Sequence, residues 1–134
     1  LEFRRVLFRS AMRVRKRLGG WMRQAGLIAA AARVALSDNV QRLALDHALA
    51  RELAERLNAV AGLESNPVKV ETNIVMVHVT APGLTAAELA SKLGEKGVRV
   101  MPMGPQVLRF VTHSDVGKAD LDLLVTAATE ILGA

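Results

Sequence analysis

Arg109 is the residue of this 134-residue chain whose neighbours most constrain its chemistry. It stands in Val107-Leu108-Arg109-Phe110-Val111-Thr112, a run with strand character, and shares a strand face with Val107 and Val111. An arginine set among apolar residues calls for an anionic partner, because a charge withdrawn from water without one is costly. Its planar fork matches a carboxylate through two parallel hydrogen bonds. A structural salt bridge or exposure at a strand edge would meet the same need, so the residues alone leave ligand and structural roles both open. Other chemistry is sparse. His47, His78 and His113 are scattered without zinc-ligand spacing, and no metal site is expected. Ser10, Ser37, Ser65, Ser91 and Ser114 lack a nucleophile-elbow context. Gly19-Gly20 and Gly26 follow no strand and make no dinucleotide fingerprint.

The bulk numbers narrow the class further. A 51% hydrophobic and 23% charged composition belongs to a folded chain of about one domain. Cysteine is absent, which removes disulfides and thiolate metal sites and leans toward a cytoplasmic protein. Arg33 breaks the apolar region from Leu27 to Leu36, so no transmembrane span is expected. The net charge of +5 is uneven: residues 1–36 hold nine Lys/Arg against one acid, and the remainder nine against twelve. A basic arm suits nucleic acid or a membrane surface. With 3% aromatics and no Tyr there is little for base stacking, and neither partner is expected. Leu1-Glu2-Phe3 and Arg4 to Ser10 read as a cloning or adaptor lead, to be set aside from the fold.

The elements that must position Arg109 follow from periodicity. Ala11 to Leu18 reads as the end of a basic helix closed by Gly19-Gly20, and an alanine-rich helix follows from about Met22 to Leu36. Ser37-Asp38 is expected to break it, with Asp38 and Gln41 as the N-cap pairing of a third helix reaching about Ala61 and ending at Gly62. Val40, Leu43, His47, Ala50, Ala54, Leu57 and Ala61 would form its inner face, and Glu52 and Arg56 an i,i+4 pair outside. Thr72 to Thr80 carries apolar residues on both faces, as in a strand well inside a sheet. Thr85-Ala86-Ala87-Glu88 is a capping box for a helix to about Lys96. Val98–Met101 and Val107–Thr112 read as strands joined by a loop at Pro102–Gln106, before a last helix from Lys118 to Leu132. The order is βαββα, an α+β layer with helices on one side of a small, mainly antiparallel sheet.

Two segments carry more than periodicity. Leu18-Gly19-Gly20-Trp21-Met22-Arg23-Gln24-Ala25-Gly26 and Arg109-Phe110-Val111-Thr112-His113-Ser114-Asp115-Val116 resemble the C-terminal portion of low-specificity L-threonine aldolases. The likeness runs from about Met12 to Leu132. It implies the small C-terminal domain of a pyridoxal-phosphate (PLP) enzyme of fold type I, in the β-eliminating lyase superfamily. Residues 1–10 would then be a non-native lead, 11–36 interface helices from the end of the large domain, and 37–134 the small domain.

The family's activity is cleavage of L-threonine or L-allo-threonine to glycine and an aldehyde, in a cytoplasmic homo-oligomer. By resemblance Arg109 binds the substrate carboxylate, Lys16 approaches the active site, and Arg23 lies near the cofactor phosphate. Thr112 and Asp115 would be turn and cap residues. The family's cofactor lysine, held as a Schiff base, has no match here, so no catalytic residue is expected and the chain alone should be inactive. Trp21 stands where the family has a third glycine, a departure that bears on Arg23. A fragment of a related β-eliminating lyase and a non-catalytic α+β binding module are the alternative readings.

Overall fold

The computed structural model describes residues 2–133 and divides into two compact units between Gln41 and Arg42. In the first unit, helix α1 (Glu2–Arg17) ends in three consecutive cations, Arg15, Lys16 and Arg17, which suit the negative end of the helix dipole. The chain then leaves the helix through a Schellman turn. The Gly20 N–H donates to the Arg15 carbonyl at 2.8 Å and the Gly19 N–H to the Lys16 carbonyl at 3.3 Å, with Gly19 left-handed at φ +81°. Helix α2 (Gly26–Val34) is the alanine-rich segment, shorter at its start than the sequence indicates. Residues 23–25 are spent on a turn in which Gln24 is itself left-handed, at φ 55°.

The expected break at Ser37-Asp38 does not occur. Ala35–Asn39 continues as a wider, π-type helical segment, and Val40 keeps right-handed backbone angles. Asp38 therefore lies inside helical backbone and cannot act as an N-cap, which needs extended angles. Among the described residues, none of the first unit is buried. Leu27, Ile28, Val34 and Leu36 are exposed, so these helices have no core of their own.

The second unit carries the sheet. Helix α3 (Leu43–Asn58) buries Asp46, Ala50, Leu53, Ala54 and Leu57. Ala50, Ala54 and Leu57 keep the expected inner face, whereas Val40, Leu43 and Ala61 are exposed and the helix ends at Asn58, short of Ala61. Arg56 contacts Glu52 at 3.8 Å, as the i,i+4 spacing requires, and reaches Asp122 at 2.7 Å. Gly62, at φ +89°, ends the descent from α3 and turns the chain into β1 (Leu63–Ser65). That three-residue strand has too little periodicity to be read from sequence. Next come β2 (Ile74–Val79), α4 (Ala86–Glu95), β3 (Met101–Gly104), β4 (Val107–Val111) and α5 (Lys118–Leu132).

The Thr85 capping box forms in full, with the Glu88 N–H donating to Thr85 Oγ1 and the Thr85 N–H to the Glu88 carboxylate. The Thr85 N–H and hydroxyl hold the Glu88 carboxyl below its ordinary range. The strands form one antiparallel sheet in the order β1-β2-β4-β3, so β2 and β4 are interior. Along β2, Val75, Val77 and Val79 are buried while Ile74, Met76 and His78 are exposed. The strand is interior by position but solvated on one face. The core fills the other face, where Leu57, Leu89, Leu93, Leu108 and Leu121 pack with Val75 and Val77.

Candidate functional site

β4 carries Arg109 in the middle of the sheet. Leu108 and Phe110 point into the core; Val107, Arg109 and Val111 lie on the solvated face, the first two half-buried. Pairing fixes the neighbours: Met76 on β2 stands opposite Arg109 on one side and Met101 on β3 on the other. Opposed residues of an antiparallel pair share a face, so Arg109 lies between two thioethers. Its Nη2 donates to Met101 Sδ at 3.5 Å. Its Nε is buried without a hydrogen-bond partner, and no carboxylate pairs with it among the described residues.

Three other arginines of this unit are engaged. Arg42 reaches Asp46 at 3.1 Å, Arg51 donates to the Val70 carbonyl at 3.2 Å, and Arg56 is paired as above. The structural salt bridge that would explain Arg109 blandly is not formed among the described residues. Exposure of its strand face accounts for part of its environment, but not for the buried Nε.

Arg109 lines an open cleft of about 670 Å³, together with the 97–102 segment, the turn after β4 and the start of α5. Arg99 lines it too and is exposed without an ion pair among the described residues. The two acids there are occupied locally. Asp120 accepts from the Gly117 N–H at 2.8 Å, capping α5, and Asp115 accepts from Ser114 Oγ at 3.1 Å. His113 Nδ1 accepts from the Asp115 N–H at 3.3 Å within the same turn. The cleft is thus lined by two guanidiniums and two carboxylates, and neither acid pairs with Arg109 or Arg99 among the described residues, so the Arg109 fork is left for an incoming anion. No lysine lines it.

Thr112 fixes the end of β4. It is fully buried, and its hydroxyl donates to the Asp46 carbonyl at 2.7 Å, tying the strand to α3. Its N–H donates to the Asn73 carbonyl at 2.9 Å, and Asn73 Nδ2 returns a bond to the Thr112 carbonyl at 2.7 Å. Thr112→Val keeps the shape and removes the hydroxyl donor to the Asp46 carbonyl, which the α3 ladder still satisfies. Unfolding in urea should show a loss of about 0.5–1.5 kcal/mol, the net worth of one hydrogen bond. A loss below about 0.5 kcal/mol would mean that the bond does not hold the strand end.

Lys16 and Arg23 lie in the first unit, both exposed. The Lys16 ammonium sits 5.2 Å from the centre of the Trp21 ring, and the Arg15 guanidinium 5.8 Å from it. Both contacts are in cation–π range. Trp21 adopts φ 63°, the left-handed conformation that a glycine takes freely and that costs another residue about 1–2 kcal/mol. The left-handed turn is thus made here with tryptophan in it. Gly20 is less replaceable, since a Cβ there would fall 2.4 Å from Arg15 Cγ and 2.6 Å from its carbonyl oxygen. Arg23 has no ion pair among the described residues. Met76 and Met101 carry no signal in the sequence because their relation to Arg109 depends on strand register, and Arg99 joins it only through the cleft.

Among the described residues no three His, Asp or Glu side chains are grouped to hold a metal, and no helix is long and apolar enough to cross a membrane. A family model described as β-eliminating lyase matches residues 1–81. The chain is 40% identical over 88% of its length to a protein of Arabidopsis thaliana named probable low-specificity L-threonine aldolase 2, covering 34% of that protein. It is 37% identical over 87% of its length to the low specificity L-threonine aldolase of Escherichia coli K12, covering 33% of it. The chain thus spans about a third of the length of these relatives. A solved Listeria monocytogenes structure, described as a candidate L-allo-threonine aldolase, superposes with a TM-score of 0.62 at 21% identity. It covers 87% of this chain and 35% of that one, and shows the fold.

Proposed function

The chain belongs to the β-eliminating lyase family, whose members depend on pyridoxal phosphate, and from that premise we propose that it is the substrate-binding arm of an aldehyde-lyase. The reaction is cleavage of L-threonine or L-allo-threonine to glycine and acetaldehyde. The observation that carries this reading is Arg109: an arginine of an interior strand, lining a cleft, with its Nε buried and no carboxylate partner among the described residues. A substrate carboxylate supplies the missing partner. Similarity to the threonine aldolases selects the substrate from among the amino acids that such a clamp could hold.

The residues present fit the substrate better than the cofactor. A covalent PLP site needs a lysine, and the cleft of the second unit has none. PLP, when bound, supplies a conjugated ring that takes up the electrons of the broken Cα–Cβ bond. The work of this chain is to grip the carboxylate with the Arg109 fork and so restrict rotation of the amino acid about Cα. Lys16 is assigned to the approach to the active site and Arg23 to the neighbourhood of the cofactor phosphate. Both rest on family resemblance, as do assembly as a homo-oligomer and a cytoplasmic setting.

The test is a chimera that joins this chain to the first two thirds of the E. coli relative. It should bind PLP and release acetaldehyde from threonine. A chimera that binds PLP and eliminates across Cα–Cβ of other amino acids, but leaves threonine intact, would move the assignment to a different lyase. One that folds but performs neither reaction would favour a non-catalytic module.

A further inference from the structure

The partner that the sheet gives Arg109 is a sulfur atom. We propose that Met101 is a positioning residue for Arg109: its thioether takes up one N–H of Nη2, sets the plane of the guanidinium, and leaves the other donors for a carboxylate. The inference rests on the reading of Arg109 as a carboxylate site.

Three observations support it. Met101 and Arg109 are directly paired across β3 and β4, so their side chains rise from the same face at neighbouring positions. The contact is 3.5 Å from Nη2 to Sδ, and no other described hydrogen bond engages the guanidinium. Met76 flanks Arg109 on the opposite side, paired with it through β2, without a hydrogen bond to it.

The chemistry explains why sulfur suits this place. A guanidinium flanked by apolar side chains on a solvated sheet face can swing among rotamers, and freezing it when an anion arrives costs binding free energy. A carboxylate in place of Met101 would orient the fork but would also neutralise it and compete with the ligand. A thioether is a weak, uncharged acceptor on an unbranched chain. It can bias the orientation of the guanidinium while leaving its charge available. The alternative is that Met101 and Met76 are two equivalent members of an exposed apolar patch, with exposures of 55% and 42%. That view predicts equal effects for the two residues and no role for sulfur.

The experiment uses the 134-residue chain labelled with 15N, following the Nε–H resonance of Arg109 during titration with sodium acetate and, as a control for ionic strength, sodium chloride. Acetate should shift the resonance saturably and chloride should not. Met101→Leu keeps the side-chain bulk and removes the acceptor; the acetate Kd should rise about threefold to tenfold, the range of one modest hydrogen bond. Met101→Gln restores an acceptor at similar length and should return the Kd to within about twofold. Met76→Leu should leave it unchanged. All three changes are at partly exposed positions, and the remaining amide spectrum reports whether the fold is kept.

Equal acetate affinity in Met101→Leu and the unsubstituted chain would overturn the inference while leaving Arg109 as the carboxylate site. So would a Met101→Gln variant as weak as Met101→Leu. Failure of acetate to move the Arg109 resonance in the unsubstituted chain would instead remove the carboxylate reading, and the inference with it.

Discussion

Arg109→Ala, in an active lyase containing this chain, should lower kcat/KM for threonine by about one to two orders of magnitude, the equivalent of one charge-assisted hydrogen-bonded contact worth about 1.5–3 kcal/mol. KM should rise because the guanidinium binds the ground state. Turnover should fall as well, because a loosely held carboxylate lets the scissile bond drift from its reactive alignment. Arg109→Lys keeps the charge and loses the fork, so it should recover only part of the loss. Cofactor absorbance should be unchanged in both variants, since the side chain is assigned to substrate alone. Stability should change little, because Arg109 lies on the solvated sheet face and forms no ion pair among the described residues.

The 134-residue chain by itself should release no acetaldehyde from threonine above the protein-free rate, and should form no borohydride-trapped link between PLP and a single lysine. Its lysines lie away from the cleft or are engaged elsewhere. Lys96 pairs with Glu130 and Lys118 lies 3.6 Å from Glu52, while Lys16 sits over Trp21. Lys69 and Lys92 do not line the cleft. A carboxylate clamp without an electron sink supplies binding and no route for the bond to break. The loss relative to an active enzyme should therefore be complete, against enzymatic accelerations of about 10⁶-fold or more. Turnover that borohydride abolishes in the purified chain would contradict this.

Local rules carried far where one residue type decides the backbone. Thr85 and Glu88 spell a capping box, and the box forms. The last helix runs over Lys118–Leu132 as its periodicity indicates. Asp38 shows the limit: side-chain chemistry suited to a cap was overridden by a run of right-handed backbone from Ala35 to Val40. β1 has only three residues, and its pairing with β2 rather than its own pattern makes it a strand.

Arg109 was legible because a charge among Val, Leu and Phe is conspicuous in any register. Its neighbours were not. Reading Pro102–Gln106 as the whole loop would place Met101 opposite Val107. Instead the turn is tighter, and an irregularity between Pro102 and Gly104 brings Met101 opposite Arg109. A shift of this kind rearranges every cross-strand contact, and it is set by tertiary packing that no single segment encodes.

If Arg109 holds the substrate carboxylate, removing the carboxylate and the guanidinium in turn should expose their coupling. Threonine and threoninamide differ at the carboxylate alone. Their kcat/KM ratio should be compared between the unsubstituted enzyme and Arg109→Ala. If the guanidinium reads the carboxylate, the preference for threonine should shrink about ten- to hundredfold in the variant, because the amide has no charge for Arg109 to lose. A ratio that stays the same in both proteins would show that Arg109 and the carboxylate do not interact.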